Sequence, residues 1–349
     1  MEPTKAFFMN DYGEGAHPLV MQRLMQTNME HTCGYGLDAY SLRAQELIRE
    51  RCGQKQAHVH MMTGGTSANI IALSAFMRPF EAAICAPGGH INTHETGALE
   101  GMGHKILPCE AREGKVTPEG VRAVCAAHAD EHVVKPRLLY ISQATEVGTV
   151  YSLSELKALR EVCDACGLLL FVDGARLGSA LVSRGCDMTL RDLAALADCF
   201  YIGGTKNGLL FGEALVIVNP ALQPGFRHMI KHGGGMMAKG RLCGVMFLAA
   251  FEHDDYFAWA RHANEMADIL REGMESGGIA FYQKTQTNQV FPILTRAQEE
   301  ALARAFAFEH WADLPDGRCA IRLVTSWATT PEDARRLADA LKEMGNEQT

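Results

Sequence analysis

The stretch LLLFVDGARLGSA, residues 168–180, carries the pattern on which the expected fold depends. Five apolar residues run without a polar interruption up to Asp173, and a glycine follows directly. A strand that is apolar on both faces is typical of a parallel sheet with helices packed on either side. The stretch therefore predicts a buried central strand that ends at a carboxylate.

Short apolar runs of the same kind alternate with helical patterns from about residue 55 to residue 220. Strand, helix and strand in repetition predict an α/β fold, a three-layer sandwich around a mostly parallel sheet. Ligands in such a fold bind at the carboxyl ends of the strands. The predicted strands are 57–62, 82–86, 138–142, 168–173, 199–202 and 214–218, and the helical patterns include 67–77, 118–129 and 152–166.

The pattern changes beyond Pro220 and Pro224. The apolar segment 242–251 has about half of the ~20 residues that a membrane span needs, so it predicts a buried helix. We expect a large domain of residues 10–252 and a smaller C-terminal α+β domain of residues 253–349, with which residues 1–9 pack. The elements predicted here are a helical stretch at 239–275 with a break near 253–255, a strand at 289–294, a helix at 296–309, a strand at 319–325 and a helix after Pro331.

Composition excludes several classes of function. The chain has 349 residues, of which 47% are hydrophobic and 21% charged, as in ordinary globular proteins. Its net charge of −8 argues against a general binder of nucleic acids or anionic membranes. Eleven cysteines without a secretion signal predict free thiols in the cytoplasm. The C-x-x-C pair Cys163 and Cys166 lies at a helix end and has no second pair, so neither a redox nor a metal site is predicted.

The segment YIGGTKNGLL, residues 201–210, presents one lysine, Lys206, among glycines at the end of a predicted strand. A nucleotide P-loop needs a glycine directly before the lysine and a hydroxyl directly after it, so Thr205 and Asn207 exclude that motif. A lysine whose pKa is lowered by a dry pocket can instead form a Schiff base with a carbonyl. In that case the glycines clear space for a ligand; the alternative is a solvated loop lysine.

Three further segments place reactive groups at predicted strand ends. In residues 58–77, a Gly-Gly-Thr-Ser sequence opens a helix, as in a phosphate site, although an ordinary helix cap has the same pattern. Asp173 could keep a pyridine nitrogen protonated, or could cap the next turn with Arg176 as its ion-pair partner. His90 follows a strand and a Gly-Gly turn, where its ring can stack on a planar cofactor or have a structural role alone.

Together, these segments match the parts of one molecule, pyridoxal phosphate, and the sequence is similar to the fold type I enzymes that use it. Within them it resembles the low-specificity L-threonine aldolase and β-eliminating lyase group. The resemblance extends from NDYGEGAHP near the N-terminus to IRLVT near the C-terminus, and its most specific segments are VDGAR, GGTKNG, the GGH turn and KHGGGM.

The resemblance implies a role for each matching residue. Lys206 would hold the cofactor covalently, Asp173 would face the ring nitrogen, and His90 would stack on the ring. Asn10 stands where the family has a serine. The implied cofactor-binding residues are Gly65, Thr66, His90, Asp173, Arg176, Thr205 and Lys206, the implied ligands of the substrate carboxylate are Arg176, Arg322 and Asn10, and the implied catalytic residues are Lys206, His90 and Glu146.

Two further segments depart from the family pattern. Thr145 and Glu146 replace a His-Asn pair whose histidine contacts the β-hydroxyl of the substrate, and Glu146 is the expected substitute base. Met237 replaces an arginine that helps to hold phosphate across the subunit interface, a role for which Lys239 and Arg241 are the candidates.

The resemblance favours a lyase that cleaves the Cα–Cβ bond of β-hydroxy-α-amino acids and releases glycine and acetaldehyde from threonine or allo-threonine. The missing histidine leaves β-elimination from another β-substituted amino acid as the alternative, and a phosphate- or cofactor-binding protein without activity as a third. The resemblance also implies a homodimer or homotetramer with shared active sites, to which residues 31–41 with Tyr35 contribute. The alternative for that segment is a helix N-terminus with Asp38 near the first turn.

Overall fold

The structure, a computed structural model, describes residues 5–346. Its strands are β1 Ala6–Phe7, β2 His58–Met62, β3 Glu81–Cys85, β4 Lys105–Pro108, β5 Ala111–Arg112, β6 Lys115–Val116, β7 Lys135–Ser142, β8 Leu169–Asp173, β9 Cys199–Gly203, β10 Glu213–Ile217, β11 Phe281–Gln283, β12 Gln289–Leu294, β13 Phe306–Ala307, β14 Glu309–Asp313 and β15 Cys319–Val324. Its helices are α1 Pro18–Thr27, α2 Ala39–Cys52, α3 Gly65–Phe76, α4 His90–Thr93, α5 Ala98–Gly101, α6 Pro118–Ala127, α7 Leu153–Cys166, α8 Leu177–Leu181, α9 Leu190–Leu196, α10 Phe226–His232, α11 Arg241–Phe251, α12 Asp255–Gly277, α13 Arg296–Leu302 and α14 Pro331–Asn346, with a 3₁₀ turn at Pro220–Leu222.

The central sheet has seven strands in the order β2-β10-β9-β8-β7-β3-β4. Strands β4, β3, β7, β8 and β9 are parallel to one another, whereas β10 is antiparallel to both of its neighbours, β9 and β2. The carboxyl ends of β2, β3, β7, β8 and β9 therefore lie at one edge of the sheet, where ligands bind in this class of fold. The first residue of β10, Glu213, lies at the same edge, opposite Gly203 and Met62.

The predicted α/β fold is confirmed, and each predicted strand of this sheet is present with bounds that differ by at most three residues. The edge strand β4 was not predicted, because it is short and only its two central residues are buried. The antiparallel direction of β10 was not predicted either. It follows from the connection: β9 and β10 are joined by residues 204–212, which are too few for the crossover that a parallel pair requires.

Strand β8 shows why this sheet is buried on both faces. Leu170 and Val172 pack into one apolar cluster, together with residues of α2, α7, α9 and α11. Leu169 and Phe171 pack into the other cluster, together with residues of α3 and α10. Each such side chain contributes about 1.5–3 kcal/mol on burial. The uninterrupted apolar run therefore stabilises both helical layers at once.

Beyond the central sheet, strands β11, β12, β15 and β14 form a four-stranded antiparallel sheet in that order, and α12 packs against α14. The predicted break near 253–255 lies between α11 and α12. The helix predicted at 296–309 is wrong in its second half, because α13 ends at Leu302 and β13 and β14 follow. Strand pairing overrides the helical pattern there: Phe306 pairs with Ala6, and His310 pairs with Ile321.

Within residues 5–346, no helix combines the length and the apolar character that crossing a membrane requires. The predicted buried helix at 242–251 is α11, and most of its side chains are buried.

All eleven cysteines are free thiols. Burial raises the pKa of the Cys163 thiol to about 12, which is the reverse of the shift that activates a redox cysteine.

Candidate active site

Lys206 lies in the loop that connects β9 to β10, at the carboxyl edge of the sheet. Burial lowers the pKa of its amine, and the charge of Arg176 lowers it further, against the opposing effects of three nearby carboxylates. A lysine with a lowered pKa keeps a neutral, nucleophilic amine over a wider pH range. The surroundings of Lys206 thus suit a lysine that forms a Schiff base.

The glycines beside Lys206 serve the packing of the backbone, which corrects the expectation that they clear space for a ligand. A Cβ on Gly203 would stand 2.3 Å from the carbonyl oxygen of Ala175. A Cβ on Gly204 would stand 2.6 Å from the carbonyl oxygen of Gly212. Only glycine fits at these two positions, because the loop lies directly against the turn that follows β8 and against its own return segment.

Asp173 ends β8 and is 3% exposed. Its Oδ2 accepts hydrogen bonds from the hydroxyl of Tyr140 and, at 3.2 Å, from the side-chain amide of Asn69. Its Oδ1 accepts a hydrogen bond of 3.0 Å from the backbone N–H of Ala175, so the carboxylate also caps the next turn. The alternative ion pair with Arg176 is not formed, because Arg176 pairs with another carboxylate. Three donors thus hold the Asp173 side chain in place at the sheet edge, where a carboxylate can pair with a protonated ring nitrogen.

His90 begins α4, directly after the Gly-Gly turn that follows β3. Its Nδ1 lies 2.8 Å from Oε1 of Glu95, a residue that is 6% exposed. The same oxygen accepts a hydrogen bond of 2.8 Å from the side-chain amide of Asn69. Asn69 therefore bridges the carboxylate beside His90 and the carboxylate of Asp173. These hydrogen bonds fix the orientation of the His90 ring, which a ring that stacks on a cofactor requires.

Glu146 lies in the turn that follows β7, at the same sheet edge. Its Oε1 accepts hydrogen bonds from the hydroxyl of Ser142 at 2.6 Å and from the backbone N–H of His90 at 2.9 Å. Burial raises the pKa of the Glu146 carboxyl, although these hydrogen bonds offset part of the effect. A carboxyl with a raised pKa can both take up and return a proton closer to neutral pH.

The turn before α3 has the features of a phosphate site. Gly64 offers no side-chain cap to the N–H groups of this 12-residue helix, so the alternative of an ordinary side-chain cap is wrong. A Cβ on Gly64 would meet no atom within 4 Å, and Thr66 in the first turn is exposed. The Ser67 hydroxyl, in contrast, donates to the carbonyl of Gly64 at 2.8 Å. Open space, uncapped N–H groups and the positive end of a helix fit the phosphate of the expected cofactor.

Arg176 forms a buried ion pair with Asp11. Nε and Nη2 of Arg176 donate to the two Asp11 oxygens at 2.7 and 3.0 Å, and the Asn288 amide donates to Asp11 at 2.9 Å. Burial would raise the pKa of Asp11, but the charges of Arg176 and Lys206 and these hydrogen bonds outweigh it and hold the pKa below its ordinary value. The neighbouring Asn10 accepts a hydrogen bond of 3.1 Å from a backbone N–H two residues later.

Arg322 on β15 lies opposite Glu309 on β14 and donates to its carboxylate from Nη2. Its Cζ lies 5.3 Å from the centre of the Trp311 ring. Its Nε is buried and has no hydrogen-bond partner among the described residues. Burial lowers the pKa of Arg322, and the positive charge of Arg176 lowers it further. A cavity of about 360 Å³ is lined by Glu309 and Trp311 and extends to Glu146 and His94.

The residues expected at a subunit interface have other contacts within one chain. Tyr35 is exposed, whereas Asp38 caps α2 through its carboxylate, so the expectation that Asp38 starts a helix is confirmed. Met237 packs against the larger core cluster, Lys239 is exposed, and Arg241 donates to a backbone carbonyl between α1 and α2. Neither cation hydrogen-bonds to the turn before α3 within residues 5–346, so their phosphate role stays a prediction.

A second polar cluster lies between α13 and the C-terminal sheet. Donor atoms of Glu299, His310 and Cys319 lie within 4.8 Å of one another, a spacing that a metal ion could bridge. However, His310 and Cys319 both hydrogen-bond to Glu299, and Arg296 donates to the same carboxylate at 2.9 Å. A guanidinium at this point repels a cation, so these hydrogen bonds and ion pairs account for the cluster.

Several residues of the site were not predicted. They share one feature, a buried polar side chain in or beside an apolar segment, and such residues are seldom buried without a partner. That feature is visible in the sequence, but the partner of each residue depends on the order of the strands. The residues are Asp11, Asn69, Glu95, Tyr140 and Glu213.

Comparisons with known proteins agree with the family resemblance of the sequence. The beta-eliminating lyase family model matches residues 14–297. The chain is 33% identical over 334 residues to the low specificity L-threonine aldolase of Pseudomonas aeruginosa, and the match covers 95% of each chain. A solved structure of Leishmania major threonine aldolase has a TM-score of 0.96 and 43% identity, and covers 97% of this chain and 99% of that one.

More distant structures share the fold. An aspartate aminotransferase double mutant of Thermus thermophilus is 15% identical, with a TM-score of 0.71 over 97% of this chain and 91% of that chain. The chain therefore belongs to the beta-eliminating lyase family, whose members are pyridoxal-phosphate-dependent enzymes of fold type I.

Proposed function

We propose that this protein cleaves the Cα–Cβ bond of β-hydroxy-α-amino acids and releases glycine and acetaldehyde from threonine or allo-threonine. The observation that carries the proposal is Lys206, whose amine lies at the sheet edge with a lowered pKa, close to the charges of Asp173 and Arg176. The names of the Pseudomonas and Leishmania relatives support the same reaction.

We assign the cofactor to the residues at this edge. Lys206 would bind its carbonyl carbon, Asp173 would meet the ring nitrogen, His90 would lie on the ring, and Gly65 and Thr66 at the start of α3 would hold the phosphate. When bound, the cofactor supplies an electron sink for the charge that remains on Cα after the bond is cleaved.

Arg176 and Arg322 orient the substrate through its carboxylate. Asp11 occupies Nε and Nη2 of Arg176, which leaves Nη1 for a ligand. Glu309 occupies Nη2 of Arg322, which leaves the buried Nε without a partner. Free N–H groups on two neighbouring guanidinium ions match the two oxygens of one carboxylate. Holding the carboxylate decides which bond at Cα is cleaved, and Asn10 beside Asp11 is a further donor to it.

Glu146 is the base at the β-hydroxyl. Its carboxyl has a raised pKa, is fixed by Ser142, and lines the cavity of about 360 Å³ beside His94 and Trp311. Removal of the hydroxyl proton lets the oxygen form the aldehyde carbonyl as the Cα–Cβ bond breaks. The cavity would take up the side chain that leaves with the aldehyde.

The test is the visible absorbance of the purified protein with pyridoxal phosphate, before and after allo-threonine is added, with glycine measured in parallel. Lys206→Ala is the matched variant. We expect a band in the wild type that is absent in Lys206→Ala and that changes as glycine appears. No band in the wild type would reject the cofactor site; a band without glycine from threonine or allo-threonine would reject the aldol cleavage.

β-Elimination is the second candidate, because Thr145 and Glu146 replace the His-Asn pair whose histidine contacts the β-hydroxyl in the family. The same site would then expel a different β-substituent from a cysteine or serine derivative and release ammonia and a keto acid. Keto acid formed without an added amino acceptor would support this reaction. Glycine and aldehyde as the only products would exclude it.

The protein is a homo-oligomer in this proposal. Met21 and Met25, at i, i+4 spacing on α1, and Met29 just beyond the helix are 41, 72 and 85% exposed. A cluster of exposed apolar side chains favours contact with another protein surface. A homodimer or homotetramer would cover them and would bring Tyr35 to the partner's site.

The eleven free cysteines support a reducing compartment such as the cytoplasm.

Residues 10–252 and 253–349 form a large and a small domain in this proposal, with residues 1–9 packed on the small one. The parallel pairing of Ala6–Phe7 with Phe306–Ala307 supports the placement of the N-terminal segment. Phe8 packs in the same apolar cluster as residues of α12 and α14. Residues 1–4 and 347–349 lie outside the described residues.

A further inference from the structure

Glu213, the first residue of β10, is a buried carboxylate that the proposed reaction does not use. Because β10 is antiparallel to its neighbours, Glu213 lies at the carboxyl edge of the sheet, opposite Gly203 of β9 and Met62 of β2. It is 4% exposed. A carboxylate is seldom buried to this extent unless it is paired or hydrogen-bonded.

Glu213 binds both residues that precede Lys206. Its Oε2 accepts a hydrogen bond of 2.8 Å from the N–H of Gly204, and its Oε1 accepts one of 2.8 Å from the Thr205 hydroxyl. The Thr205 oxygen accepts a hydrogen bond of 2.9 Å from the N–H of Gly212, whose carbonyl accepts from the N–H groups of Gly204 and Thr205. The two ends of the lysine loop are thus tied together, and the Thr205 hydroxyl is used within the protein.

Glu213 and Lys206 also affect each other's charge. Burial raises the pKa of Glu213, and its hydrogen bonds and Lys206 offset part of this effect. Glu213 in turn acts to raise the pKa of Lys206, against the larger effect of burial. The charged and titratable groups that interact with Glu213 include one cation, Lys206. They also include Asp173 on β8, Tyr201 on β9, Cys243 on α11 and Tyr256 on α12.

We propose that Glu213 is the positioning residue for Lys206. By closing the loop at both ends, its carboxylate sets the place of the amine at the sheet edge. In its ionised form, which predominates above its raised pKa of about 7, Glu213 would favour the protonated form of the lysine nitrogen once that nitrogen holds the cofactor. The inference rests on the proposed function only in taking Lys206 as the cofactor anchor.

The test uses full-length protein with Glu213→Gln, which removes the charge and keeps the side-chain volume. The readouts are the Kd for pyridoxal phosphate, from the visible band, and the pH midpoint at which this band changes. We expect the Kd to rise about tenfold and the midpoint to fall by about one pH unit, because a neighbouring negative charge is lost. Thr205→Val removes the hydroxyl bridge but keeps the charge of Glu213. It should therefore raise the Kd for pyridoxal phosphate and leave the pH midpoint unchanged. This variant replaces Glu213→Gln in the test if Glu213→Gln does not fold.

Glu81→Gln is the matched control. Glu81 also begins a strand, is 7% exposed and accepts a hydrogen bond of 2.8 Å from the backbone N–H of Arg78, but it lies at the opposite edge of the sheet. The Glu81→Gln variant should leave the Kd for pyridoxal phosphate and the pH midpoint of the band unchanged. A Glu213→Gln protein with the wild-type Kd and midpoint, and only a lower thermal stability, would overturn the inference alone. A wild-type protein without the visible band would overturn the proposed function, and the inference with it.

Discussion

The ion pair of Asp11 and Arg176 joins residues that are 165 positions apart and holds a guanidinium group beside the lysine. We expect Asp11→Asn to raise the KM for threonine about tenfold and to lower the free energy of unfolding by about 3–5 kcal/mol, because the variant leaves a buried cation without its charged partner. Steady-state kinetics and urea unfolding measure the two effects. Asn288→Ala removes a hydrogen bond to Asp11 and leaves the charge pair, so it should cost less stability.

The ion pair of Asp11 and Arg176 also makes the free energy of unfolding depend on pH. The pKa of Asp11 in the folded protein is below its ordinary value of 3.8. The stabilisation is therefore fully present above about pH 4 and is lost as the pH falls towards the lower pKa of the folded state. The free energy of unfolding of the wild type should fall more steeply below about pH 4 than that of Asp11→Asn. Equal slopes would contradict the ion-pair account.

Glu146 gives a prediction for the reaction itself. Glu146→Gln should lower kcat by about 10²–10⁴-fold, the usual contribution of a general base, while the absorbance band of the bound cofactor persists. Because the pKa of Glu146 is raised above 4.5, the wild type should gain activity as the pH rises through that raised pKa, and this limb should be absent in the variant. The exposed Glu119→Gln on α6 is the control. Unchanged kcat in Glu146→Gln would exclude the assignment.

At the level of elements, the start of α3 can be tested without disturbing the fold. The φ of Gly64 is 175°, an extended conformation open to any residue, and a Cβ there would meet no protein atom within 4 Å. We expect Gly64→Ala to change the free energy of unfolding by less than about 1 kcal/mol but to raise the Kd for pyridoxal phosphate about tenfold, because the methyl group enters the phosphate space. Titration of the visible band measures this Kd.

Gly101→Ala is the control for that variant. A Cβ on Gly101, at the end of α5, would likewise meet no atom within 4 Å, but Gly101 is not part of the turn before α3. Its Kd should equal that of the wild type. If both alanine variants bind the cofactor equally well, the phosphate does not lie at Gly64.

For the whole molecule, the exposed methionines on and beyond α1 predict an interface. Met25→Lys places a charge on a position that is 72% exposed in one chain. If a second copy covers this position, the charge would be buried on assembly. We therefore expect Met25→Lys to have a lower molar mass than the wild type by light scattering, and to lose the activity of the shared sites. Phe80→Lys, at a position 54% exposed before β3, should leave the mass unchanged. An unchanged mass in Met25→Lys would place the interface elsewhere.

Local patterns were sufficient for most of the framework and, together with the family resemblance, for the first residues of the candidate site. Uninterrupted apolar runs identified the buried strands, because a strand covered on both faces must be apolar at every position. Lys206, Asp173 and His90 were predicted because each follows such a run, and the carboxyl ends of parallel strands share one edge. Residues 306–313 show the limit of this reasoning: their helical pattern gives way to pairing with β1 and β15.

The sequence by itself determined the α/β class, the boundaries of the main strands and the reactive groups at their ends, since these depend on neighbours along the chain. Only the tertiary structure decided the partners of those groups. Asp11 meets Arg176 through the folding of distant segments, and Glu213 reaches the lysine loop because β10 lies between β2 and β9 and runs against both. Hydrogen bonds and ion pairs between remote segments depend on strand order and direction, which no local pattern specifies.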